Sequence, residues 1–262
     1  MAEKHLTASE IEALRAVDTP TICNALEMLD PAIKDFGYTL DPLICVFPKL
    51  PPIVGYAKTS TARALRPGTR DKAAEQKLTE DYLDYVVAGP GPKIAVVQDL
   101  DGNQRGRGSL WGEINTTMHK AMGCLGVITN GSVRDLRMIA PEFQLLAGSI
   151  GPSHANEHLV DFGTEVNVAG MIVQDGDLVH ADEHGAVVIP HRFARQLPDA
   201  IALLLRREAV ILKVCREPAL DLAKLKRALA ESEHVHEGVF PYADPLSASW
   251  PGPVPAIHVF DL

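Results

Sequence analysis

Three short apolar runs with a helical pattern between them constrain this chain most. Lys93–Asp99 (KIAVVQD), Leu125–Thr129 (LGVIT) and Phe143–Ala147 (FQLLA) are each too short for a stable helix. Bounded by glycine, asparagine and aspartate, such runs read as strands buried on both faces. Glu113–Met122 lies between the first two and forms a helix pattern, with Gly112 before it and Gly123 after it. Strands with helices between them predict an α/β fold. Leu178–Ala181 and Ala186–Ile189 flank a turn at Asp182–Gly185 like a hairpin, so the sheet is expected to be mixed.

The flanks add helices. Thr7-x-x-Glu10 has capping-box spacing, and Thr19-Pro20 reads as a cap followed by proline at the first helical position, leading into Ile22–Met28. Asp30–Pro52 carries five prolines and reads as a wrapping loop, Ile53–Ala64 as a strand and Asp71–Val87 as a helix. Val133–Ile139 is predicted as a short helix. A long helical pattern runs from Arg192 to Cys215, interrupted at Pro198, and Asp221–Ala230 forms one more. The end of the chain holds five prolines with Phe240, Tyr242 and Trp250. There is no internal repeat.

Charge narrows the partners. With 25 basic and 34 acidic side chains the net charge is −9, which speaks against a broad nucleic-acid or anionic-membrane surface. No apolar run approaches the roughly 18 residues of a membrane span. The opening MAEKHLTASE is too polar for a secretory signal, and Cys23, Cys45, Cys124 and Cys215 are scattered without a C-x-x-C pair. A cytoplasmic protein with no nucleic-acid or membrane partner is the expectation.

Several motifs carry less than they suggest. Gly106-Arg107-Gly108 lacks the third glycine of a dinucleotide loop, since the next is Gly112. His180-Ala-Asp-Glu-His184 has a metal-like spacing, but it precedes Gly185 between two strands and reads as a solvated hairpin turn. Ser153–His158 (SHANEH) reads as a polar surface loop, the alternative being that it reaches an active site. Cys124 reads as core.

Gly112–Asp135 (GEINTTMHKAMGCLGVITNGSVRD) holds the candidate chemistry. A glycine opening a helix exposes backbone N–H groups to a carboxylate or phosphate. The helix leads into a strand that is expected to end at Asn130-Gly131, with Arg134 and Asp135 on the following short helix near the strand's carboxyl end, where α/β folds gather ligands. Arg134 offers a planar fork for a carboxylate or enolate. Asp135 offers a hard oxygen for Mg²⁺ or Mn²⁺, and Glu113 a second acid. The residues alone leave two readings: a catalytic mouth, or ordinary surface.

This stretch resembles the 4-hydroxy-4-methyl-2-oxoglutarate aldolase family, which also contains the regulator of ribonuclease activity A. That family shows an acid, twenty intervening residues and Arg-Asp, matched here by Glu113, Arg134 and Asp135. Gly112, Gly123, Gly126 and Gly131 match as well, as do TPTICNALE, AVVQDLDG and VQDGDLVHADEHGAVVIP. Asn130 stands where the family has aspartate, and Glu113 where its aldolases often do. The resemblance implies a swivelling β/β/α-type α/β domain over residues 1–216 with a C-terminal extension over 217–262. It implies a homotrimer or homohexamer with active sites between subunits, and a class II, divalent-metal-dependent aldolase that releases pyruvate from a 4-hydroxy-2-oxo acid and also decarboxylates oxaloacetate. Gly112, Glu113, Ile114, Asn115 and Arg134 would bind the oxo acid. Glu113, Arg134 and Asp135 would be catalytic, with Asp135 and a neighbouring subunit's Glu208 holding the metal. Members that only bind a ribonuclease tend to lack part of the acid, Arg, Asp set, so its presence favours the enzyme branch. The alternatives are a non-catalytic ribonuclease-binding regulator, or another lyase or hydratase acting on a related oxo acid.

Overall fold

The computed structural model describes residues 5–235. The chain divides into two compact units, one running to Leu204 and the other starting at Leu205. The first opens with helices α1 (Ala8–Arg15) and α2 (Thr19–Leu29), then strands β1 (Ile44–Cys45) and β2 (Ile53–Arg63) and helix α3 (Lys72–Val87). Its centre is β3 (Lys93–Asp99), β4 (Ser109–Trp111), α4 (Glu113–Ala121), β5 (Cys124–Val133) and β6 (Gln144–Ile150). It closes with β7 (His158–Phe162), β8 (Val166–Val168), β9 (Met171–Val173), β10 (Leu178–Asp182) and β11 (Gly185–Ile189). Helix α5 (Leu197–Cys215) crosses the boundary, and the second unit holds its later turns and α6 (Leu222–Glu233).

The fold is mixed α/β. One sheet runs β1-β6-β5-β3-β2-β10-β11, with β4 added to β5 and β7 to β2, and β8-β9 form a separate ribbon. Its middle strands β2, β3, β5 and β6 are parallel, and the β10-β11 hairpin joins β2 antiparallel. The parallel strands are apolar at their centres because both faces are covered there. Ile94, Val96, Ile128 and Leu146 pack on one face against Val168 and Met171 of the ribbon. The alternate residues Ala95, Val97, Val127 and Leu145 pack on the other against Trp111 and Phe143.

The predicted capping box is present: the Thr7 hydroxyl accepts from the Glu10 N–H and the Glu10 carboxylate accepts from the Thr7 N–H. The other helix starts need small corrections. Asp18, not Thr19, caps α2, accepting the Thr21 N–H at 2.9 Å with Pro20 inside the first turn. Pro198 does not interrupt α5. It occupies the second helical position, where its missing N–H costs nothing, and residues 191–196 form turns before it. The wrapping loop contains β1 and a 3-10 turn at Pro31–Asp35.

Two corrections bear on the site. β5 does not stop at Asn130-Gly131 but continues to Val133, with a register shift between Thr129 and Ser132. No helix follows; residues 134–139 are loop and turn, and Asp135 sits at a left-handed φ of 56°, which a helix cannot contain. Asn130 is not a turn residue. Its amide accepts the Asp99 N–H at 2.7 Å and donates to the Asp99 carbonyl at 3.1 Å. An aspartate could not make the second bond, which gives this departure a physical reason.

Candidate active site

Strand register places the chemistry. β4 lies parallel to β5 with Trp111 opposite Val133, so the residues that follow each strand leave the sheet side by side at its carboxyl end. These are Gly112-Glu113 and Arg134-Asp135. The Arg134 N–H donates to the Trp111 carbonyl at 2.9 Å and fixes the alignment. Gly112 is then pressed against both side chains. A Cβ there would lie 2.3 Å from Asp135 Oδ2 and 3.2 Å from Arg134 Cγ. Glycine permits that approach.

Helix α4 starts at this point without a side-chain cap from Gly112. The Glu113 N–H donates to Asp135 Oδ2 at 3.3 Å, so a carboxylate already sits at the positive end of the helix. The Arg134 Nε is 3.8 Å from the same oxygen, and the two side chains are 31% and 38% exposed. That Nε is buried and makes no hydrogen bond. The Glu113 and Ile114 side chains are exposed, while the Asn115 amide is occupied, donating to the Leu110 carbonyl at 2.6 Å. Of the first-turn backbone N–H groups, that of Glu113 is taken by Asp135, and those of Ile114 and Asn115 point out of the helix start.

A divalent ion fits these donors in one manner. Asp135 is a hard, accessible carboxylate with weakly engaged lone pairs beside the exposed Glu113, which suits Mg²⁺ or Mn²⁺ held through few carboxylates and several waters. Among the described residues no group of three or more His, Cys, Asp or Glu side chains is placed to hold a metal. Glu208 lies half-buried on the α5 turns of the second unit.

Next to Arg134 the structure adds a residue that the sequence left in a surface loop. Glu157, the acid of SHANEH, has a buried Oε2 without a hydrogen-bond partner. Burial pushes its carboxyl up to about 7 against the opposing charges of Arg134 and His154. It lines a small cavity with Trp111, Asp99 and Ser132, and the Trp111 Nε1 is likewise buried without a partner. Asp99 holds the cavity's rim: its carboxylate accepts the Asp101 N–H at 2.9 Å and the Gly106 N–H at 2.7 Å. The sequence signal for Glu157 is Gly108. A Cβ there would meet Ala64 Cβ at 2.4 Å and the His154 carbonyl at 2.6 Å, so glycine lets the SHANEH loop pack inward.

The HADEH turn has a structural role and is not solvated throughout. His180 is fully buried, with its Nδ1 2.9 Å from the Thr19 hydroxyl and its Nε2 3.1 Å from the Val17 carbonyl. Asp182 accepts the Thr19 N–H at 2.7 Å. Together they tie the start of α2 to β10.

The sequence model of the RraA-like family (Aldolase/RraA) matches residues 19–188, more than half of the chain. An uncharacterised protein of Methanocaldococcus jannaschii is 31% identical over 96 residues, 36% of this chain and 46% of that relative, so the match spans less than half of the relative's length. A solved, uncharacterised protein from Pseudomonas syringae shares the fold with a TM-score of 0.66 at 20% identity, covering 88% of this chain and 97% of that one. Streptomyces coelicolor RraAS2, described as an unusual member of the RNase ES inhibitor RraA family, follows at 0.61 and 21% identity over 82% of this chain and 98% of its own. By the extent of the family match, and with the mixed α/β fold in agreement, this chain belongs to the RraA-like aldolase/RraA family.

Proposed function

We propose that this chain is a class II aldolase that cleaves a 4-hydroxy-2-oxo acid, such as 4-hydroxy-4-methyl-2-oxoglutarate, to pyruvate, and that it decarboxylates oxaloacetate. One observation carries the reading: the pairing of β4 with β5 brings Arg134 and the Asp135 carboxylate against Gly112 and the Glu113 N–H at the start of α4. The family holds both aldolases and ribonuclease inhibitors, and a convergent acid, Arg, Asp set is what aldol chemistry needs. Asp135 and Glu208 of a neighbouring copy would hold Mg²⁺ or Mn²⁺, which when bound supplies Lewis acidity to the 2-oxo acid.

The chain's own residues do the rest. The N–H groups of Ile114 and Asn115, joined by that of Glu113 once Asp135 turns from it, bind the substrate carboxylate at the helix start. Glu113 takes the proton from the 4-hydroxyl as the C3–C4 bond breaks. Arg134 faces the enolate oxygen, where its fixed charge lowers the barrier because the charge develops there during the step.

The test is pyruvate release from a panel of 4-hydroxy-2-oxo acids and oxaloacetate, with and without chelator. Activity that is lost on chelation and in Asp135→Ala is the expected result. Full activity of a chelated, metal-free sample overturns the metal-dependent mechanism. No pyruvate from any substrate overturns the aldolase reading; turnover of the oxo acid without pyruvate then points to another lyase or hydratase, and no turnover at all to a ribonuclease-binding regulator.

A further inference from the structure

We propose that Glu157 is the acid–base residue that protonates the enolate carbon at this site, through the cavity it shares with Trp111. The inference rests on the aldolase reading and adds a residue outside the acid, Arg, Asp set. Four observations carry it. The Glu157 Oε2 is buried without a hydrogen-bond partner, which costs free energy unless a water or ligand completes it. The Trp111 Nε1, an N–H donor in the wall of the same cavity, lacks a partner too. The cavity offers about 20 Å³ to the centre of a water molecule, enough to hold one water. Trp111 directly precedes Gly112 and Ser132 stands two residues before Arg134, so the cavity lies along the paired β4 and β5 whose carboxyl ends carry the site.

Charge sets the role. Arg134 and His154 are within electrostatic reach of Glu157, and Asp99 and Arg63 line the cavity. Asp99 is engaged by two backbone N–H groups and Arg63 by Asp101, leaving the Glu157 carboxyl free to exchange a proton. Burial raises its affinity for that proton to about 7, so both forms are populated near neutrality, as an acid–base group requires.

The step balances. Cleavage breaks C3–C4 and leaves its electron pair in the enolate. Glu157 gives its proton to C3, forming the methyl C–H bond, and the resulting carboxylate regains a proton from solvent. Oxaloacetate loses CO₂ from the same bond and yields the same enolate. In reverse, the carboxylate removes a methyl proton from pyruvate, which in D₂O appears as exchange of hydrogen for deuterium.

Two readouts test this on the full chain with Mg²⁺. Pyruvate methyl exchange in D₂O, followed by proton NMR, should rise with pH through about 7, because the carboxylate is the active form. Glu157→Gln should lower it at least ~100-fold and remove that pH limb, whereas Glu157→Asp retains a limb at a displaced pH. Without substrate, a carbon-13 glutamate label should show one carboxyl titrating near 7 that is missing in Glu157→Asp. Wild-type exchange in Glu157→Gln, or titration of that carboxyl near the ordinary value of about 4.3, overturns the proposal. If cleavage persists while Glu157→Gln still exchanges, only this inference falls. A wild-type chain that neither cleaves nor exchanges removes the aldolase reading and the inference with it.

Discussion

A methyl group at position 112 has no room. Its carbon would stand 2.3 Å from Asp135 Oδ2 and 3.2 Å from both Arg134 Cγ and Asp135 Cγ. The Asp135 backbone is held by its left-handed φ and by the Met138 N–H on its carbonyl at 2.7 Å, so only its side chain can turn away. Gly112→Ala should therefore displace the carboxylate from the helix start, at a cost of about 1–3 kcal/mol typical of overpacking. The expected result is at least a ~10-fold fall in kcat/KM for pyruvate release with a thermal midpoint lowered by only a few degrees. An unchanged kcat/KM would show that the working enzyme does not hold Asp135 against Gly112. Glycine at this position was legible in the sequence as the opening of a helix. Its closer constraint, the press of two side chains from another strand, was not, because it arises only when β4 and β5 pair.

The elements divide by how local their causes are. The strands at Lys93–Asp99 and Phe143–Ala147 and the Thr7 capping box were readable because apolar continuity and capping act within a few residues. β4 and β7 carried no such pattern, since edge strands of three and five residues owe their form to the neighbours they pair with. The short helix expected at Val133–Ile139 failed for the same reason: pairing with β4 and β6 drew Val133 into the sheet. Helix α4 shows how a buried histidine ties an element down. His119 lies 2.7 Å from the Asn115 carbonyl through Nδ1 and 2.8 Å from the Tyr82 hydroxyl through Nε2, and packs on Trp111. Burial lowers its affinity for a proton from 6.5 to about 4. Below 6.5 the unfolded chain takes a proton that the folded chain refuses until about 4, so stability is complete above 6.5 and is lost as the pH falls through that window. One such group is worth up to about 3 kcal/mol. His180 shifts in the same direction, chiefly by burial, while Glu157 opposes them. Urea unfolding at pH 7 and pH 4 should show a net loss, and His119→Gln should be less pH-dependent than wild type by roughly 3 kcal/mol. Equal pH dependence in the two would place the acid sensitivity elsewhere.

At the scale of the whole molecule, the candidate site carries a surface that a lone chain leaves in water. Ile114 is 73% exposed, Met118 37% and Met138 57%, beside a helix start and a carboxylate that are otherwise polar. Ile114 and Met118 are four residues apart and share one helix face, and Met138 follows Asp135 by three. Apolar side chains grouped at the rim of a polar site mark a surface that another molecule covers. A second copy of this chain would meet that need and would bring Glu208 as well, as the trimer or hexamer implied by the family resemblance requires. Light scattering should then give three or six chains, and pyruvate release per chain should fall as dilution dissociates them. Met138→Glu, which sets a charge on the rim, should weaken assembly and activity together without lowering the thermal midpoint of the dissociated chain. Deletion after Ala230 addresses the aromatic anchors Phe240, Tyr242 and Trp250, which lie outside the described residues; if they clasp a neighbour, the shortened chain assembles more weakly. Unchanged assembly of that chain would refute the clasp but leave the shared site standing. A monomer with full activity at every dilution would refute the shared site, and all the chemistry would then have to come from Glu113, Arg134, Asp135 and Glu157 of a single chain.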